Sequence, residues 1–331
     1  MRRQSLPILI VLTLATGGAA AALAFAFQWL PTSASKEADR LFFSIWFATI
    51  ISIVIFAIVS ALMIYAVFAF RVKPGDLSDG PPTHGHTKLE IVWTVIPTII
   101  VVAITVVSAI VLAQNTHAGK NPLPIKVYAQ QFAWEFEYPN GYKSPILRLP
   151  VDRGIKLNIT AKDVIHSFWV PEFGQKQDAV PGQWNEIVIT PTRTGTFDVI
   201  CTELCGLGHA LMRSQARVDT QADFNSWYAS TGTEESAADP VKAFMAAGCG
   251  GCHALKSIPS ATGTVGPSLD SLSADAAKAG EPLADFIAES ITDPDAFTPE
   301  DYQPGTMPPM GTAMTKAQLD ALVAYLADNT N

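Results

Sequence analysis

One run of thirty uncharged residues, from Leu41 to Phe70, limits most strongly what this chain can fold into. A helix needs about 20 apolar residues to cross the hydrocarbon core of a bilayer, so the run predicts a long transmembrane helix. A second apolar run, from Ile91 to about Ala113, predicts a second span. Together they predict a two-helix transmembrane hairpin over residues 41–113, in a chain whose residues are 49% hydrophobic.

The N-terminal residues 1–30 allow two interpretations. They begin Met-Arg-Arg and continue as an apolar run, which is the pattern of a signal peptide with a cleavage site at Ala24-Phe25-Ala26. The apolar run is long for a signal peptide, so an extra transmembrane helix is the alternative. Basic residues in the loop over 71–90 place that loop in the cytoplasm, and everything after about Gln114 then lies outside.

The segment 124–220 has the pattern of a β domain. Its hydrophobic residues alternate or are β-branched in short runs, and Pro/Gly turns separate the runs. About a hundred residues of this pattern predict an all-β sandwich or a Greek-key barrel. The predicted strands are 125–130, 132–138, 155–160, 186–190 and 196–200.

The C-terminal part is a separate, acidic unit. A stretch of small and acidic residues over 229–240 predicts a linker, and helix-like segments after it predict a small all-α domain over 241–331. From Thr231 to Asn331 there are 14 acidic and 4 basic side chains, whereas the whole chain carries a net charge of −8. This charge argues against nucleic acid and for a basic protein partner. The predicted helices are 241–247, 283–292 and 316–328.

Two thiols, an imidazole and a thioether lie within twelve residues, at Cys201, Cys205, His209 and Met212. Thiolate, imidazole and weak thioether donors together favour a copper site that transfers electrons. Two cysteines, where a site with one copper needs one, indicate two metals that share sulfurs. A Cys201–Cys205 disulfide and a zinc site are the alternatives, but neither has a use for the thioether of Met212.

A further nitrogen donor is needed, and His166 lies 35 residues before Cys201. Strand ends that far apart in sequence can meet in a sandwich. A lone histidine beside aromatic residues is also common as a packing residue, so these residues alone leave both roles open.

Three stretches in this region have specific sequence patterns that composition alone does not describe. They are Asp163-Val-Ile-His-Ser-Phe-Trp-Val-Pro-Glu-Phe173, Lys176-Gln-Asp-Ala-Val-Pro-Gly182 and the whole of Cys201–Met212. Together with Leu89-Glu-Ile-Val-Trp-Thr-Val-Ile-Pro97 they resemble subunit II of the haem–copper cytochrome c oxidases, over roughly residues 40–220. The resemblance implies a cupredoxin domain that holds a dinuclear copper centre, CuA.

The resemblance also implies roles for single residues. The implied bridging ligands are Cys201 and Cys205, the implied nitrogen ligands are His166 and His209, and the implied weak ligands are Met212 and the backbone carbonyl of Glu203. The family uses the Glu203 side chain toward a magnesium ion shared with subunit I. Glu90 matches the family's acidic residue at the mouth of the K proton channel, although an ordinary interfacial charge is the alternative.

One stretch departs from the family's pattern. The family often has Gln-Trp-x-Trp, whose first tryptophan receives electrons from soluble cytochrome c, and here the stretch reads Gln131-Phe132-Ala133-Trp134. Phe132 stands where the first tryptophan is expected, and Trp134 matches the second. The usual docking route is therefore in question, and Trp134 is a candidate for the electron path. Phe136 and Tyr138, further along, are expected to be core residues.

A second constellation lies in the C-terminal domain. Cys249-Gly-Gly-Cys252-His253 is the C-x-x-C-H pattern of covalent haem c attachment, with His253 as the proximal iron ligand. A thiol–disulfide redox site is the alternative reading of C-x-x-C. Met/His ligation raises the potential of a haem, so a C-terminal methionine is expected as the second axial ligand. Met307 is preferred because Gly-x-Met-Pro resembles the cytochrome c ligand loop, followed by Met310, with Met314 as a third candidate.

This tail resembles a class I cytochrome c domain, and its fusion to subunit II resembles the caa3-type oxidases. The expected protein is therefore subunit II of a proton-pumping terminal oxidase in the bacterial inner membrane, with subunits I and III, an external cytochrome c or another upstream donor, and the membrane as partners. The expected electron path leads from haem c through CuA to the oxygen-reducing site in subunit I. A CuA-containing nitric oxide reductase component, and a copper-delivery or assembly protein, are the alternatives.

Overall fold

The computed structural model describes residues 5–71, 75, 84–231, 239–307, 309–310 and 314–330. The basic N-terminal residues, most of the loop after the first predicted span and the centre of the predicted linker lie outside the described residues. The chain divides into two compact units. One contains the residues up to Thr32 and Asp39–Gln114, and the other contains Ser33–Ala38 and the chain from Asn115 onward.

Three helices in the N-terminal part are long and apolar enough to cross a membrane. They are α1 (Ser5–Ala26), α2 (Lys36–Ala69) and α3 (Thr87–Asn115). Helices α2 and α3 confirm the predicted transmembrane hairpin, although α2 begins five residues before the uncharged run because polar residues extend it beyond the apolar part.

The N-terminal run packs closely on α2. The Thr16 hydroxyl donates to the carbonyl oxygen of Ala57 at 3.2 Å, and a Cβ placed on Gly17 would lie only 3.1 Å from that of Ala57. Nearby, the rings of Phe25 and Trp46 are stacked with their centroids 4.8 Å apart. Small residues that let two backbones approach are typical of transmembrane helix pairs. These contacts favour the extra-helix interpretation, and N-terminal sequencing of the mature protein tests it.

The second unit begins with a β-sandwich of two five-stranded sheets. The strands are β1 (Leu123–Gln130), β2 (Ala133–Glu137), β3 (Lys143–Ser144), β4 (Leu147–Pro150), β5 (Ile155–Ala161), β6 (His166–Trp169), β7 (Lys176–Ala179), β8 (Asn185–Ile189), β9 (Gly195–Cys201) and β10 (Arg213–Asp219). One sheet has the order β3-β2-β1-β5-β8 and the other β4-β10-β9-β6-β7. The pairs β1–β5 and β4–β10 are parallel, and the other pairs are antiparallel.

Alternation of side chains builds the core between the sheets. In β1 every second residue from Leu123 to Ala129 is buried, and the residues between them face outward. Phe136 and Tyr138 are buried, as expected for core residues. The five predicted strands all exist with ends shifted by at most two residues, whereas β3, β4, β6, β7 and β10 were not predicted. The cupredoxin-like sandwich is thereby confirmed.

A buried carboxylate ties the segment Ser33–Ala38 to the sandwich. Glu37 is 1% exposed. Its Oε2 accepts from the Thr190 N–H at 2.6 Å and its Oε1 from the Thr190 hydroxyl at 3.0 Å. In the reverse direction, the Lys36 N–H donates to the carbonyl oxygen of Thr190 at 3.0 Å.

Glu37→Ala is expected to destabilise the protein by about 1–3 kcal/mol, because two buried donors of Thr190 lose their acceptor. Thermal unfolding of the detergent-solubilised protein measures the effect. Asp39→Ala, which removes an exposed carboxylate from the same helix turn, is the control and should leave the midpoint nearly unchanged. Equal midpoints for the two variants would contradict the anchoring role.

Helix α4 (Gln221–Ser230) follows the sandwich and was not predicted. Thr220 caps it by accepting from the Asp223 N–H. Phe224 is buried, and the guanidinium of Arg148 lies 4.6 Å from the ring centroid of Trp227. The helix therefore belongs to the sandwich, and it includes the first two residues of the predicted linker.

The C-terminal domain is a small helical unit, in agreement with the predicted fold class. Its helices are α5 (Pro240–Ala246), α6 (Cys249–Cys252), α7 (Leu272–Ala279), α8 (Leu283–Thr292) and α9 (Lys316–Asp328). Their buried faces form a second hydrophobic core around Phe244, Phe286 and Leu322. The three predicted helices correspond to α5, α8 and α9, and α6 and α7 are additional.

Candidate functional site

The loop after β9 brings sulfur and nitrogen donors together at one end of the sandwich. Cys201 ends β9, and its Sγ lies 3.9 Å from the Sγ of Cys205. The Cys205 Sγ lies 3.6 Å from His209 Nδ1 and 3.9 Å from the sulfur of Met212. The Cys201 Sγ lies 3.2 Å from the carbonyl oxygen of Glu203. All four side-chain donors predicted in this stretch therefore converge.

The fifth donor comes from a separate strand. His166 begins β6, which pairs with β9 so that Phe168 lies opposite Cys201. This register brings His166 Nδ1 to 4.0 Å from the Cys201 Sγ, and the imidazole is completely buried. Within the described residues, His166, Cys201 and Cys205 form the cluster whose donor atoms lie close enough together to hold a metal. The alternative of a mere packing residue is thus disfavoured for His166.

The donor set fits copper better than the alternatives. Both cysteines are free, and their 3.9 Å separation is far beyond the roughly 2.05 Å of a disulfide bond. Two sulfurs side by side, with an imidazole beside each and a thioether near one of them, match the soft-donor preference of copper. Zinc has no use for the thioether of Met212.

The thiols of Cys201 and Cys205 have opposite pKa shifts. Burial raises the pKa of Cys201, but hydrogen bonds with His166 and with the backbone outweigh burial and lower that pKa to about 6. Burial, together with the negative charge on Cys201, raises the pKa of Cys205 to about 12. Metal binding by both thiolates therefore releases the proton of Cys205 at neutral pH, and the affinity for the metal falls as the pH falls.

Two supporting residues were missed by the sequence analysis. Asp163 Oδ1 accepts from His166 Nε2 at 2.8 Å, and Nδ1 is the ring nitrogen that faces the Cys201 sulfur. Asp163 Oδ2 accepts from the Gln131 N–H at 2.6 Å. The Gln131 side-chain amide donates to the carbonyl oxygen of Cys205, also at 2.6 Å. The Asp-x-x-His spacing was a visible signal for Asp163, whereas Gln131 depends on tertiary contacts.

Asp163 is held as a carboxylate. Burial raises its pKa, but hydrogen bonds from His166 and from the N–H groups of Gln131 and Val164 outweigh burial and lower it below the usual value. The charge therefore fixes the ring orientation of His166 at neutral pH.

Asp163→Asn is expected to weaken copper binding by about 10–100-fold, the usual effect of losing a partner that orients a ligating histidine. Competition with a copper chelator measures the change. Asp198→Asn, an exposed carboxylate on β9, is the control and should bind copper like the parent protein. An unchanged affinity in Asp163→Asn would show that His166 is oriented by its packing alone.

The stretch Gln131-Phe132-Ala133-Trp134 departs from the family's pattern, and its two aromatic residues lie at different depths. Trp134 is 1% exposed, and its ring centroid lies 6.3 Å from that of His166 in an edge-on arrangement. Phe132 is only half-buried and packs against the copper loop. Trp134 is thus a neighbour of the metal donors inside the core, and Phe132 lies nearer the surface.

The C-x-x-C-H motif lies in the wall of a cavity in the helical domain. Cys249 and Cys252 occupy the ends of the short helix α6. His253 Nδ1 lies 2.7 Å from the carbonyl oxygen of Pro267 and donates to it, which leaves Nε2 unprotonated. Burial lowers the pKa of His253 and so keeps the imidazole neutral. Gly266 lies against this ring, and a Cβ on it would overlap the imidazole.

Methionine side chains contribute to the same cavity. Met307 and Met310 both line it together with His253, whereas Met314 is outside its described lining. Met310 is 6% exposed, and its N–H donates to the carbonyl oxygen of Ile291 at 2.8 Å. An apolar cavity with two thiols, a free imidazole nitrogen and thioethers fits a covalently attached haem.

The two predicted acidic residues, Glu203 and Glu90, both have exposed side chains. Glu203 is exposed on the copper loop. Glu90 is exposed in the first turn of α3, where its Oε1 accepts from the His86 N–H at 3.0 Å and so caps the helix. Both are therefore accessible, and Glu90 has a capping role in addition.

Comparison with known proteins matches all three parts of the chain. Residues 22–111 match the transmembrane domain of cytochrome c oxidase subunit II, residues 142–217 match its periplasmic domain, and residues 238–330 match cytochrome c. A cytochrome c oxidase subunit 2 from Alkalihalophilus pseudofirmus is 32% identical over 305 residues, 87% of this chain and 85% of that protein.

Two further relatives cover less of the chain. A cytochrome c oxidase subunit 2 from Synechocystis sp. is 32% identical over 248 residues, 60% of this chain and 75% of that protein. The crystal structure of the periplasmic domain of subunit II of cytochrome oxidase from Bradyrhizobium japonicum is 32% identical, with a TM-score of 0.33, over 35% of this chain and 96% of that chain. The family implies copper and haem c, a place in an oxidoreductase complex and partnership with subunit I. The chain thus belongs to the cytochrome c oxidase subunit II family, in a membrane-bound form with a fused cytochrome c domain.

Proposed function

We propose that this chain takes electrons from an external donor through haem c and a dinuclear CuA centre to the oxygen-reducing site of subunit I in a proton-pumping terminal oxidase. The observation that carries the proposal is the convergence of five side-chain donors from two segments, two of them free thiols. A dinuclear copper centre held by Cys201 and Cys205 would supply one-electron transfer with little change of geometry on reduction.

The chain's own contribution is rigidity. Cys201 is fixed by strand pairing and His166 by β6 and Asp163, so the donors need not move when the charge of the site changes. The rings of Trp134 and Phe168, 5.5 Å apart in an edge-on arrangement, exclude water from the inner side. The roles proposed are bridging for Cys201 and Cys205, nitrogen ligation for His166 and His209, and weak ligation for Met212 and the Glu203 carbonyl.

The outer side of the copper loop suits a partner subunit. Leu204 and Leu207 are 78% and 88% exposed, although they flank the buried Cys205. Exposed apolar side chains beside a functional site indicate a protein contact. We assign this contact to subunit I, with the exposed Glu203 carboxylate directed at a shared magnesium ion. Subunit III completes the complex.

The acidic helical domain receives the electron. Its excess of acidic side chains favours a basic soluble or membrane-bound cytochrome as the external donor. Cys249 and Cys252 attach haem c, His253 ligates the iron, and Met307 supplies the second axial ligand. In this arrangement both redox domains lie on the periplasmic side of the bacterial inner membrane, and Glu90 lies at the cytoplasmic mouth of a proton channel.

The test uses the purified complex. Haem staining of this subunit after denaturing electrophoresis, a mixed-valence copper signal with seven hyperfine lines, and oxygen uptake driven by reduced cytochrome c are all expected. Nitric oxide reduction without oxygen uptake would point instead to a nitric oxide reductase component. Copper release to another protein without turnover would point to a copper-delivery protein.

A further inference from the structure

The wall of the haem cavity includes residues of the sandwich as well as residues of the haem domain. Gln131 and Phe132 of the sandwich lie in its wall together with Cys249, Cys252 and His253. The haem cavity and the copper domain therefore share a boundary.

The same phenylalanine also borders the copper loop. A Cβ on Gly208 would lie 2.7 Å from Phe132 Cγ, and a Cβ on Gly206 would lie 3.1 Å from Phe132 Cζ. Both distances are too short for any residue but glycine without a shift of the ring. Phe132 thus forms part of the wall of the haem cavity and also packs against the loop that carries Cys205 and His209.

Glycines of the haem-attachment segment make a second contact. Gly248 has φ +79°, and a Cβ there would lie 2.6 Å from the Cβ of Ala133. A Cβ on Gly251 would lie 3.6 Å from the carbonyl oxygen of Leu211, the residue before Met212. Close backbone approach is a use to which glycine is uniquely suited. The backbone at Gly248 therefore lies too close to β2 for a side chain, and the backbone at Gly251 lies near the copper loop.

Helix α5 extends this contact. It packs on β2 and β3 of the sandwich, and the Lys242 ammonium lies 6.0 Å from the ring centroid of Tyr142. The interface thus includes a helix, the attachment segment and one side chain in the cavity wall.

We infer that the haem domain packs permanently against the copper domain in the folded protein. Phe132 forms part of the boundary that the two sites share. The inference rests on the proposed function for the presence of haem c. Its consequence concerns the donor. Because the haem domain covers Phe132, an external donor delivers its electron to the haem domain and not to the copper loop at this position.

The first experiment tests whether the haem domain binds to the copper domain through a permanent contact or is only tethered to it by the linker. A protease site flanked by a Gly/Ser spacer is inserted between Thr231 and Asp239 of the intact complex, and complete cutting is verified by denaturing electrophoresis. We expect the cut, haem-stained domain to remain with the complex in size-exclusion chromatography. Release of the domain from the otherwise unaltered complex would overturn the inference, because a mere tether gives no more than a high local concentration.

Gly248→Ala in the same cut complex is expected to cause loss of the haem domain. Gly280→Ala is the matched control, because Gly280 also has a positive φ, of +78°, but nothing lies within 4 Å of its Cβ position. The two variants thus share the backbone strain and differ in the interface. Equal retention in both variants would overturn the inference.

A second measurement does not depend on how Gly248→Ala folds. Phe132→Ala opens the cavity wall to water, and greater solvent exposure of a haem is expected to lower its reduction potential. Trp184→Ala, which removes a half-exposed aromatic residue that packs on Tyr128 instead, should leave the haem c potential unchanged. An unchanged potential in Phe132→Ala would contradict the shared wall.

Failure of this inference is distinguishable from failure of the proposed function. If haem staining and the seven-line copper signal are present while the cut domain is released, the function stands and the permanent contact does not. If haem or copper is absent from the parent complex, the proposed function fails first.

Discussion

Cys205→Ser is expected to remove the dinuclear copper signal and, with it, oxygen uptake driven by cytochrome c. The Cys205 sulfur lies 3.9 Å from the Cys201 sulfur, 3.6 Å from His209 Nδ1 and 3.9 Å from the Met212 sulfur, so it adjoins three of the other four side-chain donors. Serine offers a hard hydroxyl that stays protonated, and copper in such a site prefers thiolate. In this variant one of the two thiolates is lost, and only that of Cys201 remains.

Electron paramagnetic resonance of the oxidised complex measures this change. The seven-line mixed-valence spectrum should disappear, whereas haem staining of the same subunit should persist. Thr202→Ser is the control, because its hydroxyl contacts the Ser167 carbonyl oxygen at 3.4 Å and does not face the sulfurs. A seven-line spectrum in Cys205→Ser would refute the bridging role of this residue.

The donors of the copper site could be predicted because they are rare residues in one short stretch. Soft sulfur donors have few other reasons to lie four and seven residues apart, at Cys201, Cys205 and Met212. His166 was harder, because its position depends on the register of β6 against β9. Strand β6 itself was invisible, since its sequence His-Ser-Phe-Trp is buried almost throughout and shows no alternation.

Other differences between sequence and structure also have physical causes. Strand β7 is the edge strand Lys-Gln-Asp-Ala, whose mostly polar residues do not show the alternation of a half-buried strand. Helix α4 is held by Phe224 and Trp227 against the sandwich, and this packing is not readable from its mixed composition. The hydrogen bonds of Gln131 to Asp163 and Cys205 join three separate segments, so only the fold reveals them.

Met307→Leu is expected to abolish the near-infrared charge-transfer band between methionine and haem c iron and to lower the haem c reduction potential. Met307 and Met310 both line the cavity of His253, so position alone does not distinguish them. Their packing does differ. Met310 is 6% exposed within the hydrophobic core, whereas Met307 is only partly buried at the edge of that core.

This difference assigns the two methionines different tasks. A side chain that already fills a core site has its contacts satisfied by packing, and a Met→Leu exchange there usually costs less than about 1.5 kcal/mol. Met310→Leu should therefore retain the band and lose a little thermal stability. Met307→Leu should lose the band because leucine offers no sulfur to the iron. Absorption spectra of the reoxidised complexes decide between them, and a band that survives in Met307→Leu but vanishes in Met310→Leu would exchange the two roles.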